Sequence, residues 1–270
     1  MRGCQYFFTV PALTFCVQVL FFINAMFPIR GECSGEGNRA FIKIFYPWNE
    51  KMKKFKAVIF DMDGTLLDSM YIWHHLAESY LVKNNIPIPE DLADKLVIMS
   101  IKNAVKMLIN DFKLDLTPEE MLEELQNLLA DFYRTKADFK PGAREFLQKL
   151  RDNGIATMVF SATPQHLIHL ALNRLDAENY FSHGLLSCDT VQCGKHQEEA
   201  FFKAAAHFGF SPDEIMIFED AHYAATTAKR AGFTLGIVAD QWERRSHELR
   251  ELADFYIEKS FDEFPIDTFF

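Results

Sequence analysis

Cysteine is scarce in this 270-residue chain, and where it occurs it is badly placed for a metal or a disulfide framework. Of the five, Cys4, Cys16 and Cys33 lie near the start, and Cys188 and Cys193 have no second pair nearby. That excludes a zinc ribbon and a disulfide scaffold, and points to a reducing, cytoplasmic setting for the main domain. Basic charge is lacking too: 28 Lys and Arg stand against 38 Asp and Glu, a net of -10. A protein that tracks a nucleic-acid backbone needs a basic face, so nucleic acid is excluded as a partner. A small phosphorylated metabolite is not, because a few local cations and a metal suffice for it. No internal repeat or low-complexity tract appears, which excludes a solenoid.

Long apolar runs are confined to the beginning. Tyr6 to Ile29 carry no charge, Arg2 precedes them, and Arg30, Glu32 and Glu36 end the run. The length could span a bilayer or serve as a secretory signal. Against this, Pro11, Gln18, Asn24 and Pro28 interrupt it, and no small-x-small cleavage site follows. Composition shifts again at Met52-Lys53-Lys54-Phe55-Lys56. Residues 1–51 are therefore expected to lie outside the fold, with two readings open. They are a leader or disordered extension with Met52 as the true start, or a signal or membrane anchor over residues 6–29. A membrane is a partner only in the second case. Nothing in the sequence sets an oligomeric state.

What the chain does have is Ala57-Val58-Ile59-Phe60 followed at once by Asp61, Asp63 and Gly64. An apolar, β-branched run reads as a buried parallel strand. Ligands of open α/β sheets bind beyond the carboxyl ends of such strands. Two carboxylates thus meet at the mouth of a site. They suit a metal ion, or a nucleophile beside a general acid.

After Asp68 the pattern turns helical. Ser69 is placed to cap a helix through Trp73, Leu76, Tyr80 and Leu81, which Ile86-Pro87-Ile88-Pro89 ends. A short helix starts at Pro89, and Ser100 is placed to cap a third with Ala104, Val105, Leu108 and Ile109 on one face. Thr117-Pro118-Glu119-Glu120 opens a fourth, with Pro at the first position and acids in the first turn. It carries Met121, Leu122, Leu125, Leu128, Leu129 and Phe132 at helical spacing. Four helices with short loops predict a small bundle over residues 69–140. From Lys140 onward helix and strand alternate, with strands at 155–161, 184–187, 214–218 and 234–239. That alternation predicts an α/β fold, a parallel sheet covered on both faces. An edge strand and a docking segment are expected from Phe255 on.

The segment Asp61-Met62-Asp63-Gly64-Thr65 resembles motif one of the haloacid dehalogenase-like (HAD) hydrolases, and the resemblance covers about residues 54–260. It implies a Rossmann-like three-layer core (residues 52–68 and 141–270) and an inserted helical cap (residues 69–140). It also implies that Asp61 attacks phosphorus to form an aspartyl-phosphate, and that Asp63 protonates the leaving oxygen and later activates water. Three further segments match in order. Ser161, at the end of Met158-Val159-Phe160, resembles motif two and would bind a phosphoryl oxygen. Gly194-Lys195 resembles motif three, with Lys195 bridging nucleophile and phosphoryl group; His196 stands where close relatives often have Pro. Glu219-Asp220 resembles motif four. There Asp61 and Asp220 would hold Mg²⁺ by carboxylate oxygens and Asp63 by its backbone carbonyl, with Glu219 a ligand or a support. Ala224 replaces the further acid that many relatives have. The Asp63-Gly64-Thr65 turn would offer backbone N–H groups to the phosphate, an anion-binding nest.

The resemblance thus implies a Mg²⁺-dependent phosphatase of small phosphorylated metabolites. A sugar phosphomutase of the same superfamily is the first rival. Ile98 and Ile101 flank Met99-Ser100 where mutases place Gly and Arg, which weakens it. Asp63 argues against phosphonatases, and with Glu219-Asp220 against dehalogenases. The second rival is a membrane-tethered or non-catalytic binding protein.

Overall fold

A computed structural model describes residues 30–34, 41–45, 54–96 and 101–270. The chain divides into two units, residues 1–53 and 54–270. In the first, β1 (Arg30–Ser34) pairs antiparallel with β2 (Phe41–Phe45), Gly31 opposite Ile44. The pair was not expected, although Phe41-Ile42-Lys43-Ile44-Phe45 is the β-branched and aromatic composition that strands favour. The anchor or signal expected over residues 6–29, the start at Met52 and the cap by Ser100 all lie outside the described residues. Among those that are described, no helix is long and apolar enough to cross a membrane.

In the second unit β3 (Ala57–Phe60) is fully buried, as its apolar sequence requires. Five helices follow it: α1 (Met70–His74), α2 (Leu76–Lys83), α3 (Leu92–Leu96), α4 (Ile101–Phe112) and α5 (Pro118–Thr135). The helix expected through Trp73 and Leu81 is broken at His75, which serves as C-cap of α1 and N-cap of α2. Thr117 caps α5 in a reciprocal capping box with Glu120. Tyr80, Leu81, Val105, Leu108, Met121 and Leu125 pack into one small core of this insertion.

The chain then alternates. α6 (Ala143–Asp152), β4 (Ala156–Ser161), α7 (Gln165–Arg174), β5 (Leu185–Ser187), α8 (Cys188–Val191) and α9 (Glu198–Ala206) come first. β6 (Ile215–Glu219), α10 (His222–Arg230), β7 (Thr234–Val238), α11 (Ser246–Leu252), β8 (Phe255–Ile257) and α12 (Ile266–Phe269) complete it. The sheet is six-stranded and parallel, in the order β5-β4-β3-β6-β7-β8. This is the Rossmann-like α/β architecture, with the edge strand expected after residue 255 in place.

Alternate strand residues serve opposite layers, as the two-residue side-chain period demands. Val58, Phe60, Val159, Met216 and Phe218 face α6, α7 and the C-terminal segment. Ile59, Met158, Phe160, Ile217, Leu235 and Ile237 face α9, α10 and α11. Phe60 stacks on Phe218, ring centroids 5.2 Å apart; Phe261 of the tail meets both rings and Phe264 meets Phe218. Gly236 pairs in register with Phe218, whose ring would lie 2.3 Å from any added Cβ. The chain leaves β3 to one side and returns on the other at β6, with Phe60 opposite Phe218. The reversal opens a crevice at the carboxyl ends of β3 and β6.

Candidate active site

The register decides what meets at that crevice. Asp61 follows the last residue of β3, Glu219 ends β6 and Ser161 ends β4. Asp61, Asp63, Ser161, Lys195, Glu219 and Asp220 are all buried. The Lys195 ammonium lies 2.5 Å from Asp61 Oδ1 and 2.8 Å from Glu219 Oε1. The other Glu219 oxygen accepts the N–H groups of Asp220 and Ala221, both at 2.8 Å. Glu219 thus holds the lysine with one oxygen and shapes the next turn with the other.

Asp61, Glu219 and Asp220 each present a carboxylate oxygen, all within 4.8 Å of one another. One ammonium does not balance three buried carboxylates, so the cluster favours an additional cation. An oxygen-only donor set suits a hard divalent ion. The residues therefore fit a metal such as Mg²⁺. Without one, burial raises the Asp61 carboxyl to about 7; Lys195 opposes the rise, and Glu219 and Asp63 add to it. Burial, then Glu219 and Asp61, push Asp220 well above the ordinary carboxylate range. Burial alone would lower the Lys195 ammonium, but Asp61 and Glu219 together outweigh it and raise its pKa.

Gly64 adopts φ +83°, and a Cβ there would stand 2.2 Å from Asp220 Oδ2. The turn needs glycine both for its backbone and for the close approach of Asp220. The Gly64 N–H donates to Leu67 O at 3.0 Å. The fully buried Thr65 hydroxyl donates to Asp220 Oδ1 at 2.7 Å. The Gly64 N–H expected in the anion nest is thus used in closing the turn, and the Thr65 hydroxyl orients the Asp220 carboxylate. Ser161 Oγ accepts the Thr163 N–H at 3.1 Å, leaving its own proton to donate.

Asp63 is held by three hydroxyl groups. Its Oδ1 accepts the hydroxyls of Ser69 at 2.6 Å and Tyr133 at 2.5 Å, and its Oδ2 accepts Thr163 Oγ1 at 2.5 Å. Trp73 Nε1 donates to the Tyr133 oxygen at 3.1 Å. Ser69 sits at the N-cap of α1 but makes no side-chain cap bond, so the capping role expected of it gives way to Asp63. The motif reading did not assign Ser69, Tyr133 or Thr163 to the site. The available signal was a hydroxyl residue at each of three places the chain must return to the rim. Those places are one residue past Asp68, two past Ser161, and at the end of the α5 stripe.

A cavity of about 680 Å³ joins Asp61, Asp63 and Asp220 to the interior of the helical insertion. Trp73 and His74 of α1 and Tyr223 of α10 also line it.

The model of the haloacid dehalogenase-like hydrolases matches residues 55–232. This chain belongs to that family. It is 29% identical over 192 residues to (DL)-glycerol-3-phosphatase 1, mitochondrial, of Arabidopsis thaliana, covering 68% of this chain and 63% of that one. It is 28% identical to a phosphorylated carbohydrates phosphatase of Thermotoga maritima, covering 66% and 82% of the two chains. It is 26% identical to the beta-phosphoglucomutase of Bacillus subtilis, covering 67% and 83%. A solved HAD hydrolase of family IA, variant 3, from Entamoeba histolytica superposes with a TM-score of 0.64 at 20% identity, over 79% of this chain and 97% of that one. The match at that identity is one of fold. The relatives are phosphatases and a phosphomutase, so phosphoryl-group chemistry is the shared activity.

Proposed function

We propose that this protein is a Mg²⁺-dependent phosphatase of small phosphorylated metabolites. The observation that carries the reading is Asp61 at the end of β3, bonded to Lys195 and flanked by Glu219 and Asp220, with Asp63 two residues on. Residues 69–140 act as a cap over residues 52–68 and 141–270, and the cavity between them receives the substrate.

Lys195 and the Ser161 hydroxyl bind the phosphoryl oxygens and offset the repulsion between dianion and carboxylate. Asp61 and Asp220 would hold Mg²⁺ by carboxylate oxygens and Asp63 by its backbone carbonyl. The ion supplies further neutralisation of the phosphate when bound. An Asp61 oxygen forms a bond to phosphorus as the ester P–O bond breaks, and Asp63 gives its proton to the departing alkoxide. Water then attacks phosphorus, Asp63 takes a proton from it, and the bond to Asp61 breaks. The products are the alcohol and inorganic phosphate. Closure of the insertion keeps bulk water out.

A phosphomutase is the second reading, favoured by the Bacillus relative. p-Nitrophenyl phosphate turnover with Mg²⁺, with EDTA, and in Asp61→Asn tests the proposal. Turnover is expected only in the Mg²⁺ arm of the wild type. Full activity in Asp61→Asn rejects the nucleophile, and faster isomerisation of a sugar phosphate than phosphate release would favour the mutase.

A further inference from the structure

Two linkers join the helical insertion to the sheet, and they run side by side. The Asp68 N–H donates to Asp138 O at 3.0 Å and the Lys140 N–H to Leu66 O at 2.8 Å, with Leu67 and Phe139 bridged antiparallel between them. The Lys140 side chain then crosses to a different element. Its ammonium donates to Ala239 O and Asp240 Oδ2, both at 2.8 Å, in the turn after β7. Asp240 Oδ1 accepts the Trp242 N–H at 2.9 Å, and the Trp242 ring stacks on His74 of α1. One carboxylate thus connects the linkers to the ring that touches the insertion.

The ion pair is buried: the Lys140 and Asp240 side chains are 11% and 4% exposed. A buried pair often adds little net stability over apolar residues of similar volume, because desolvation offsets the attraction. What it supplies is direction, since charge-assisted hydrogen bonds to a carbonyl and a carboxylate fix where the ammonium sits. The position matters to the site. Helix α1 carries His74, which lines the cavity, and Trp73, whose indole holds the Tyr133 hydroxyl that donates to Asp63.

We propose that Lys140 is a positioning residue for substrate binding: by tying the paired linkers to the turn after β7, it sets where Trp242 meets α1 and so where the α1 side of the cavity stands. The kinetic readout of this role rests on the phosphatase reading above; the structural readout does not.

The test is a double-mutant cycle in the full-length protein with p-nitrophenyl phosphate. The Lys140 charge also reaches Asp220, so Mg²⁺ is kept saturating and metal affinity does not enter. Lys140→Met is expected to raise KM at least as much as Trp242→Ala, roughly two- to tenfold, with a smaller change in kcat. If both act through one turn, the double variant stays within about twofold of Lys140→Met alone. Should Lys140→Met fail to fold, Lys140→Met/Asp240→Asn replaces it, leaving no unpaired charge and keeping an acceptor for the Trp242 N–H. Amide exchange, read without substrate, is expected to quicken over residues 70–83 and not in β3 or β6. A lowered Tm with KM unchanged, or KM effects that multiply in the double variant, would mean that Lys140 serves stability and not the placing of α1. Exchange over residues 70–83 that is unchanged, or that quickens equally in the strands, overturns the proposal too. If the wild type releases no phosphate, the phosphatase reading falls and exchange alone decides.

Discussion

The Tyr133 hydroxyl, carried on the last turns of α5, donates to Asp63 Oδ1 at 2.5 Å, across 70 residues of chain. A side chain of the helical insertion thereby fixes the orientation of the carboxylate proposed to move protons, and Trp73 Nε1 fixes Tyr133 in turn. Removing the phenol oxygen in Tyr133→Phe leaves Ser69 and Thr163 on Asp63 and keeps the ring volume. A single net hydrogen bond contributes about 1 kcal/mol, so kcat is expected to fall roughly two- to tenfold. KM should change less. Steady-state kinetics at saturating Mg²⁺ check this; an unchanged kcat would mean that Tyr133 serves the fold alone.

Lys195 is the cation that meets both Asp61 and Glu219. Lys195→Met keeps a long apolar stem but leaves the buried acids unpaired. Breaking one side of a buried pair typically costs about 3–5 kcal/mol. The metal-free variant is expected to melt well below the wild type, and Mg²⁺ to restore more stability to it than to the wild type. Phosphate release should fall by at least about a hundredfold, since phosphoryl charge loses its fixed partner. Calorimetry with and without Mg²⁺ reads the first effect and a phosphate assay the second.

The raised Asp61 carboxyl gives the metal-free protein a definite pH dependence. Its pKa moves from 3.8 in the unfolded chain to about 7 in the fold. Between those values the folded protein binds more protons than the unfolded one, so stability falls as pH rises through that window. Asp220, displaced in the same direction, adds to the trend. A metal competes with those protons, so its affinity rises over the same range. Melting in EDTA is expected to weaken from pH 5 to pH 7.5, and the Mg²⁺-induced rise in Tm to grow. An EDTA series that gains stability with pH would contradict the assignment.

Why some of this was legible in the sequence and some was not follows from the kind of signal each element carries. β3 and β6 are short apolar runs that end abruptly in acids, so strand, edge and site coincide in one pattern. Their pairing then brings Glu219 and Asp220 beside Asp61. Helix α5 was equally plain from its Thr117-Pro118 start. The break at His75 carried no comparable mark, because no Pro or Gly stands there. The grip on Asp63 was hidden for a different reason. Ser69, Tyr133 and Thr163 are distant in sequence, and hydroxyls have many local uses, capping among them. Only the folded chain shows that all three point at one carboxylate.

Gly64→Ala tests the close approach of the motif turn to Asp220. The backbone at φ +83° disfavours any side chain, by about 1–2 kcal/mol, and the new methyl would overlap Asp220 Oδ2 and Met70. Asp220 would have to turn from the position where Thr65 holds it. Metal affinity is expected to fall more than global stability. Isothermal titration with Mg²⁺ beside a urea melt separates the two, and an unchanged affinity would show that Asp220 is not a ligand.

Trp242 links the segment after β7 to α1 of the insertion. Lys140 Nζ donates to Ala239 O and Asp240 Oδ2, both at 2.8 Å, and so fixes the turn that follows β7. That turn presents Trp242, whose ring stacks on His74 with centroids 4.6 Å apart and meets His75 edge-on at 5.3 Å. His74 lines the cavity, so the contact bears directly on its wall. Aromatic pairs of this kind contribute about 0.5–1.5 kcal/mol beyond their buried area. In Trp242→Ala the Lys140 anchor remains, so the turn is expected to keep its place while α1 is freed. KM should rise roughly two- to tenfold with a smaller change in kcat, and amide exchange should quicken over residues 70–83 and not in β3 or β6. Exchange that quickens equally in the strands would mean that Trp242 supports the core and has no separate hold on the insertion.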